Sequence, residues 1–258
     1  MTFQTIAVEV AARRVATVLL NRPARGNAFD QTMLDELDHA MAALAGRDDV
    51  RIVVLRGSGR HFCTGADLAA RAAEAPAGHA AGTHASLRDV LVRLETLPKP
   101  LLTVVHGAAV GGGAAFAACS DVVIATEAAF FSIPEVRVGM PPLGVAPFLI
   151  RAMGHRNFRR YGLSGERFGA AEALRVRLAH EVVVADRLEQ RLAEITDALL
   201  HAAPGAVREM KAAMDQDVTP SVAAILARRA AHGPPRSEEA QEGVAAFKEK
   251  RKPRWYPQ

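Results

Sequence analysis

The hydrophobic positions of the first twenty residues fall into two short runs with polar Arg13-Arg14 between them, the pattern of two strands and a turn. Thr5–Val10 and Val15–Leu20 read as two strands joined by a short turn, and Asn21-Arg22-Pro23 ends the pairing. A helical period follows. Met33, Leu34, Leu37, Met41 and Leu44 share one face of a helix that Asp30 is suited to cap and Gly46 to stop. Ile52-Val53-Val54-Leu55 is an unbroken apolar run, the pattern of a strand buried on both faces, and a turn-rich segment from Gly57 to Asp67 follows it. The Ala/Gly/His-rich stretch from about Ala69 to Gly82 has no apolar period and reads as a mobile loop or a poorly ordered helix. Leu87, Val90, Leu91 and Leu94 form the next amphipathic helix, which Pro98 and Pro100 stop.

A second buried strand, Leu101–Val105, enters His106-Gly107, then Gly111-Gly112-Gly113 and a small-residue helix, Ala114–Cys119. Val122–Ala125 is a third buried strand. From Pro142 onward helical signals dominate. Asp186-x-x-Glu189 predicts a capping box for a helix carrying Leu188, Leu192, Ile195 and Leu199. A last helix is predicted after Ser237. It has acidic residues in its first turn and Lys248, Lys250, Arg251 and Lys252 at its end, the charge order the helix dipole favours. No linker-like stretch divides the chain. It reads as one α/β domain over residues 1–258, a core of strands and helices over 1–200 followed by a helical region over 201–258.

Composition narrows the possibilities. Half of the 258 residues are hydrophobic, enough for a sizeable core. Lys plus Arg exceed Asp plus Glu by only 32 to 28, too little to imply nucleic-acid binding, though an anionic ligand is compatible with it. Two cysteines, Cys63 and Cys119, form neither a disulfide framework nor a zinc pattern, so a reducing compartment is expected and no metal. Residues 1–14 lack the order of a signal peptide, and charges or Gly/Pro interrupt every apolar run before it reaches the length of a membrane span. The expected location is the cytoplasm.

One local pattern recurs. Ile52–Leu55 leads through Gly57 and Gly59 to Thr64-Gly65-Ala66-Asp67-Leu68, and Leu101–Val105 leads through Gly107 to Gly111-Gly112-Gly113-Ala114. Each is a buried strand feeding a small-residue turn at a helix start, where the first N–H groups lack internal partners and carry partial positive charge. Two such turns converging would offer two donors to one developing oxyanion, each worth about 2.7–4 kcal/mol of barrier. The plain alternative is close backbone packing. Gly57-x-Gly59-x-x-Phe62 misses the third glycine of a dinucleotide fingerprint, and the Gly107–Gly113 run lacks the Gly-Lys-Ser/Thr ending of a P-loop.

The motifs taken in order resemble one family. Asn21-Arg22-Pro23 with Asn27-Ala28-Phe29 is similar to the opening of the crotonase superfamily, the enoyl-CoA hydratases and isomerases. So are Phe62-x-x-Gly65-Ala66-Asp67-Leu68, Lys99-Pro100, His106-Gly107-Ala108-Ala109-Val110-Gly111-Gly112-Gly113, Ser120-Asp121, Pro134-Glu135-Val136 and the closing Phe247–Pro253. The resemblance implies an α/β spiral of repeated ββα units with a helical C-terminal trimerisation region, assembled as a homotrimer or a dimer of trimers. It places the two oxyanion donors at the N–H groups of Ala66 and Gly112. It places Thr64, Asp67 and Leu68 by the CoA adenine, Arg22 and Ala24 near the pantetheine and phosphates, and Phe247 and Lys250 at a CoA, often that of a neighbouring subunit. CoA enters as part of the substrate and no separate cofactor is implied. Glu135 matches the second of the two hydratase glutamates, whereas Ala115 stands where the first would fall.

Desolvation beside a thioester pocket would raise the pKa of Glu135 toward neutrality and fit it to shuttle a proton between carbons. Ser132 and Arg137 flank it. Asp67 and Asp121 also suit backbone capping, and His61 and His106 suit turns. Cys119 suits a packed core thiol, and the basic set Arg151, His155, Arg156, Arg159 and Arg160 a solvated or intersubunit helix face. Among functions, hydration of a 2-enoyl-CoA ranks first. The stretch from Pro134 through Tyr161 to Phe168 resembles bacterial hydratases of the methylglutaconyl-CoA type. Double-bond isomerisation of a 3-enoyl-CoA needs only one base and follows closely, with decarboxylation or hydrolysis of an acyl-CoA third. A non-catalytic CoA or RNA binder is the rival class. Only 5% aromatic residues and no basic–aromatic interleaving speak against RNA.

Overall fold

The computed structural model describes residues 2–73, 84–216 and 238–251. In chain order its first elements are β1 (Ile6–Val10), β2 (Val15–Leu20), α1 (Gln31–Ala45), β3 (Ile52–Gly57), α2 (Leu68–Ala73) and α3 (Leu87–Glu95). β4 (Leu101–Val105), β5 (Ala108–Val110), α4 (Gly112–Ala118), β6 (Val122–Thr126), β7 (Phe130–Ser132) and α5 (Ala146–Ser164) come next. The chain continues with β8 (Phe168–Gly169), α6 (Ala170–Arg175), β9 (Glu181–Val183), α7 (Leu188–Leu200), α8 (Pro204–Gln216) and α9 (Glu238–Lys248).

β1 and β2 pair antiparallel, with Ile6 opposite Leu20. From β2 onward the pairing is parallel, and the large sheet runs β1-β2-β3-β4-β6-β9. A small sheet, β5-β7-β8, stands beside it, and two isolated parallel bridges, Cys63 with Ala109 and Phe29 with Ala66, carry its pairing back to the earlier windings. Each winding therefore gives one strand to the large sheet, one extended segment to the small one and then a helix, which is the expected spiral of ββα units.

The buried strands are largely apolar because elements packed on both faces of the large sheet keep water from them. Val53 and Leu55 of β3 and Leu101 and Val105 of β4 point into the main core with α1, α3 and α4. The alternate residues Ile52, Val54, Leu102, Val104 and Ile124 face Leu188, Leu192, Ile195 and Leu199 of α7. Asp30 caps α1 by accepting the Met33 N–H at 3.0 Å. Ser86 and Asp89 form a capping box at α3.

Several expectations need correction. The small-residue helix begins at Gly112, two residues before the predicted Ala114, and closes at Ala118 with Cys119 as its C-cap. The chain does not turn all-helical at Pro142, because β8 and β9 follow it. Each is only two or three residues long, too short to show a period. The Asp186–Glu189 capping box does not form. Residues Ala185–Arg187 wind into a 3-10 turn, α7 starts without a side-chain cap, and Arg56 takes the Glu189 carboxylate. Of the Ala69–Gly82 stretch, the residues up to Ala73 belong to α2, and 74–82 lie outside the described residues. Ser237 and Lys252–Pro253 also lie outside them.

The C-terminal helices are tied to the core. Lys211 of α8, 6% exposed, pairs with Asp121, whose Oδ2 also accepts the Leu101 N–H at 2.7 Å at the start of β4. Helix α9 packs against the 3-10 turn Glu135–Val138, and its Ala246 is fully buried. No helix among the described residues is long and apolar enough to cross a membrane.

Candidate active site

The two glycine-rich turns meet. The Cys63 N–H donates to Ala108 O at 2.9 Å and the Val110 N–H returns to Cys63 O at 3.0 Å. Gly113 lies so close to Cys63 that a Cβ on it would stand 2.4 Å from the Cys63 carbonyl oxygen, so no other residue fits. Phe29 accepts from Asp67 N–H at 2.8 Å and donates to Gly65 O at 2.9 Å, which leaves the Ala66 N–H between them without an acceptor among the described residues. Gly112 is the first residue of α4, where a helix has no internal acceptor to offer, and its N–H is likewise unpaired among the described residues. Two free donors thus stand on two turns that are hydrogen-bonded to each other.

Glu135 opens the 3-10 turn that follows β7. β7 is held to the second glycine turn by the Gly111 N–H, which donates to Ser132 O at 2.9 Å, and the Ser132 hydroxyl donates to Gly165 O at 3.1 Å. The residue as a whole is half-buried, but its Oε2 is fully enclosed and has no hydrogen-bond partner. Burial without a compensating charge pushes the carboxyl up to about 7. Arg137 does not reach it. Its Nε donates to Ser164 O at 2.9 Å, which ties the turn to the end of α5.

Ala115 lies one helical turn below Gly111, whose carbonyl accepts its N–H at 3.1 Å. It is completely buried among apolar neighbours and brings no second acid to the site.

Arg22, Thr64, Asp67 and Leu68 lie at or beside the first turn, where Arg22 and Asp67 are engaged by the protein. Asp67 is buried and caps α2 through the Ala70 N–H at 3.2 Å. It is held by Arg22 at 3.1 Å and by Arg25 at 3.0 Å. Burial pushes its carboxyl up, but the Ala70 N–H and the two arginines outweigh that and leave it below the usual range. Arg22 also pairs with Asp30 at 3.0 Å. Thr64 and Leu68 are half-buried, Ala24 is exposed, and the Thr64 hydroxyl is 3.4 Å from Arg25 O. Phe247 is the penultimate residue of α9, and Lys250 is exposed in the turn beyond it. Cys63 and Cys119 are free and buried, and burial pushes the Cys63 thiol up to about 12, so neither suits a nucleophile.

Sequence reasoning missed two walls of the site. A Cβ on Gly112 would meet the Phe29 ring at 2.6 Å and Leu87 Cδ2 at 3.3 Å. These apolar side chains seal one side of the donor pair. Their patterns marked them only as a motif residue and a helix-core residue. Arg25, which holds Asp67, was equally silent.

A two-sheet spiral thus carries, on adjoining turns, two N–H groups without acceptors among the described residues and one desolvated carboxyl, a set suited to stabilising an oxyanion and moving a proton. The chain belongs to the enoyl-CoA hydratase/isomerase family, whose model matches residues 11–258. It is 32% identical over 244 residues to the 2,3-dehydroadipyl-CoA hydratase of Escherichia coli, covering 93% of this chain and 94% of that one. Among solved structures it resembles Pseudomonas aeruginosa AtuE, with 36% identity, a TM-score of 0.77 and coverage of 98% and 99%. It also resembles an enoyl-CoA hydratase/isomerase from Pseudoalteromonas atlantica, with 27% identity, a TM-score of 0.87 and coverage of 98% and 100%.

Proposed function

We propose that this enzyme hydrates a 2-enoyl-CoA, with Ala66 and Gly112 N–H groups as the oxyanion donors and Glu135 as the acid–base residue. The observation that carries this reading is the enclosed, unpartnered Glu135 Oε2. A carboxyl with a pKa near 7 is available as base and as acid at neutral pH. Ionised Glu135 takes a proton from water as its oxygen adds to carbon 3. The electron pair moves onto the thioester oxygen, where the two N–H groups stabilise it. The protonated Glu135 then returns the proton to carbon 2, and the C–H bond forms as the enolate collapses. One carboxyl performs both halves in turn. The water is held by one acceptor instead of two, so the best substrates are acyl chains that carry a polar group of their own, as a branched, carboxylated chain of the methylglutaconyl type does.

A second reading, isomerisation of a 3-enoyl-CoA, is favoured by Ala115, because moving a proton between carbons 4 and 2 needs only one base. Around this chemistry the reading assigns Arg22, Ala24, Thr64, Asp67, Leu68, Phe247 and Lys250 to the CoA moiety, and requires no separate cofactor. It takes the protein to be a cytoplasmic homotrimer or dimer of trimers. Incubation with a panel of acyl-CoA esters and mass spectrometry of the products tests it. A gain of one water on 2-enoyl esters is expected. Products of unchanged mass, formed only from 3-enoyl esters, would replace the first reading by the second.

A further inference from the structure

We propose that a second cavity, separate from the thioester site, binds a phosphate group, either free or carried on a small organic ester. The cavity has a volume of about 530 Å³ and lies at the ends of β3, β4 and β6, beside the start of β7 and the turn into α7. Its wall includes Arg56, Arg60, His61, His106, Thr126 and Phe130, and no carboxylate lines it. Parallel α/β sheets place ligands at the carboxyl ends of their strands, where loops supply the contacts. None of Glu135, Ala66 and Gly112 belongs to this wall.

The polar groups on the wall are matched to an anion. Arg60 is exposed and has no ion pair among the described residues. Arg56 is three-quarters buried and pairs with Glu189, a contact that uses two of the five donors of its fork. Glu189 itself is mostly exposed, so a dianion can share or displace it at little cost. The His61 ring accepts the Ala108 N–H on Nδ1 at 3.2 Å, which puts its proton on Nε2 as a donor. His106 Nε2 bonds to Gly59 O at 2.9 Å and braces the loop that carries Arg60.

Thr126 adds a neutral donor to the group. The residue is only 5% exposed, yet its hydroxyl opens on the cavity and makes no hydrogen bond among the described residues. The hydroxyl is not enclosed, so it can hydrogen-bond to an oxygen of a ligand in the cavity. Phe130 and Leu188 add apolar surface on the same wall. A volume of this size falls within the range of small-molecule sites and exceeds what a bare phosphate fills. The guanidinium fork supplies the paired donors that a tetrahedral oxyanion accepts.

Isothermal titration of the full chain with inorganic phosphate, AMP and 3′,5′-ADP, at ionic strength matched with chloride, tests the proposal. Wild type should bind phosphate or AMP saturably. Arg60→Gln and Arg56→Gln should each weaken binding about tenfold or more, the scale of one charge-assisted hydrogen bond. Both variants should keep wild-type turnover of the CoA ester. AMP binding more tightly than phosphate identifies the organic ester as ligand, and equal affinities identify free phosphate. Thr126→Val should weaken both, with Thr126→Ser restoring them. Should the valine variant fail to fold by circular dichroism, the arginine variants carry the test. Three results would overturn the proposal: no saturable heat, affinities unchanged in both arginine variants, or complete displacement of phosphate by an acyl-CoA ester, which would place the anion in the thioester site.

Discussion

Glu135 and Gly111 are in contact: a Cβ built on Gly111 would stand 2.7 Å from Glu135 Oε1. Gly111 has a φ of +54°, which L side chains rarely adopt, and it immediately precedes the donor residue Gly112. One glycine therefore sets both the position of the Glu135 carboxyl and the start of the helix whose first N–H is the proposed oxyanion donor. Gly111→Ala should push the carboxyl aside and strain the turn. Turnover should fall by about 10²-fold, the cost of misplacing a reacting group by roughly 1 Å. A comparison of kcat for wild type and variant, with folding checked by circular dichroism, measures this.

Glu135→Gln keeps the shape and removes the proton chemistry. Turnover should fall by roughly 10²-fold or more while KM for the CoA ester changes little. In the wild type kcat/KM should rise with pH through about 7, as the carboxyl ionises, and level off above it. The same group affects stability with a definite sign. Its folded pKa lies above the unfolded value, so between about 4.5 and about 7 the native state holds a proton that the unfolded state has released, and stability falls as pH rises across that window. Glu135→Gln should therefore raise Tm at pH 8, by about 2–4 °C for each kcal/mol recovered, and leave it nearly unchanged at pH 4.

Ala66→Pro deletes one candidate donor without breaking an internal hydrogen bond, because the Ala66 N–H has no acceptor among the described residues. A folded variant should lose about 10²–10³-fold in kcat, the effect of removing one oxyanion-hole donor. Wild-type kcat in a folded variant would remove Ala66 from the donor pair.

Straight-chain crotonyl-CoA should be hydrated slowly by the wild type compared with a two-glutamate relative. Ala115 lies four residues beyond Gly111, and side chains of α4 lean toward its N-terminus, so a carboxylate at 115 would lie on the Glu135 side of the helix. Ala115→Glu should raise the rate of crotonyl-CoA hydration, followed as loss of the conjugated thioester absorbance. Wild-type rates equal to those of the two-glutamate enzyme would show that one carboxyl suffices.

Asp67 separates a structural from a ligand-binding role. Asp67→Ala removes the cap of α2 and leaves Arg22 and Arg25 without their shared partner. Tm should drop by the equivalent of about 1–3 kcal/mol. A rise in KM for the CoA ester with unchanged Tm would instead assign Asp67 to the ligand.

Much of this protein is legible in its sequence. The opening hairpin, the Asp30-capped helix and the apolar-rich strands Ile52–Leu55 and Leu101–Val105 follow from local pattern, since each is long enough to show one. The order of the glycine turns and Pro134-Glu135-Val136 carried the family. Elements of two or three residues, β5, β7, β8 and β9, carry no period of their own and exist only because the spiral lays them beside earlier windings. The Asp186–Glu189 pattern was locally valid and lost to a tertiary partner, Arg56. Likewise no local rule pairs Asp67 with Arg22 and Arg25 across more than forty residues, or lays Glu135 against Gly111. The sequence by itself determined the two glycine turns and the place of Glu135 after Pro134. Only the tertiary structure brought them together and desolvated the acid, because a carboxyl acquires its shifted pKa from the surfaces that enclose it and not from its neighbours in the chain.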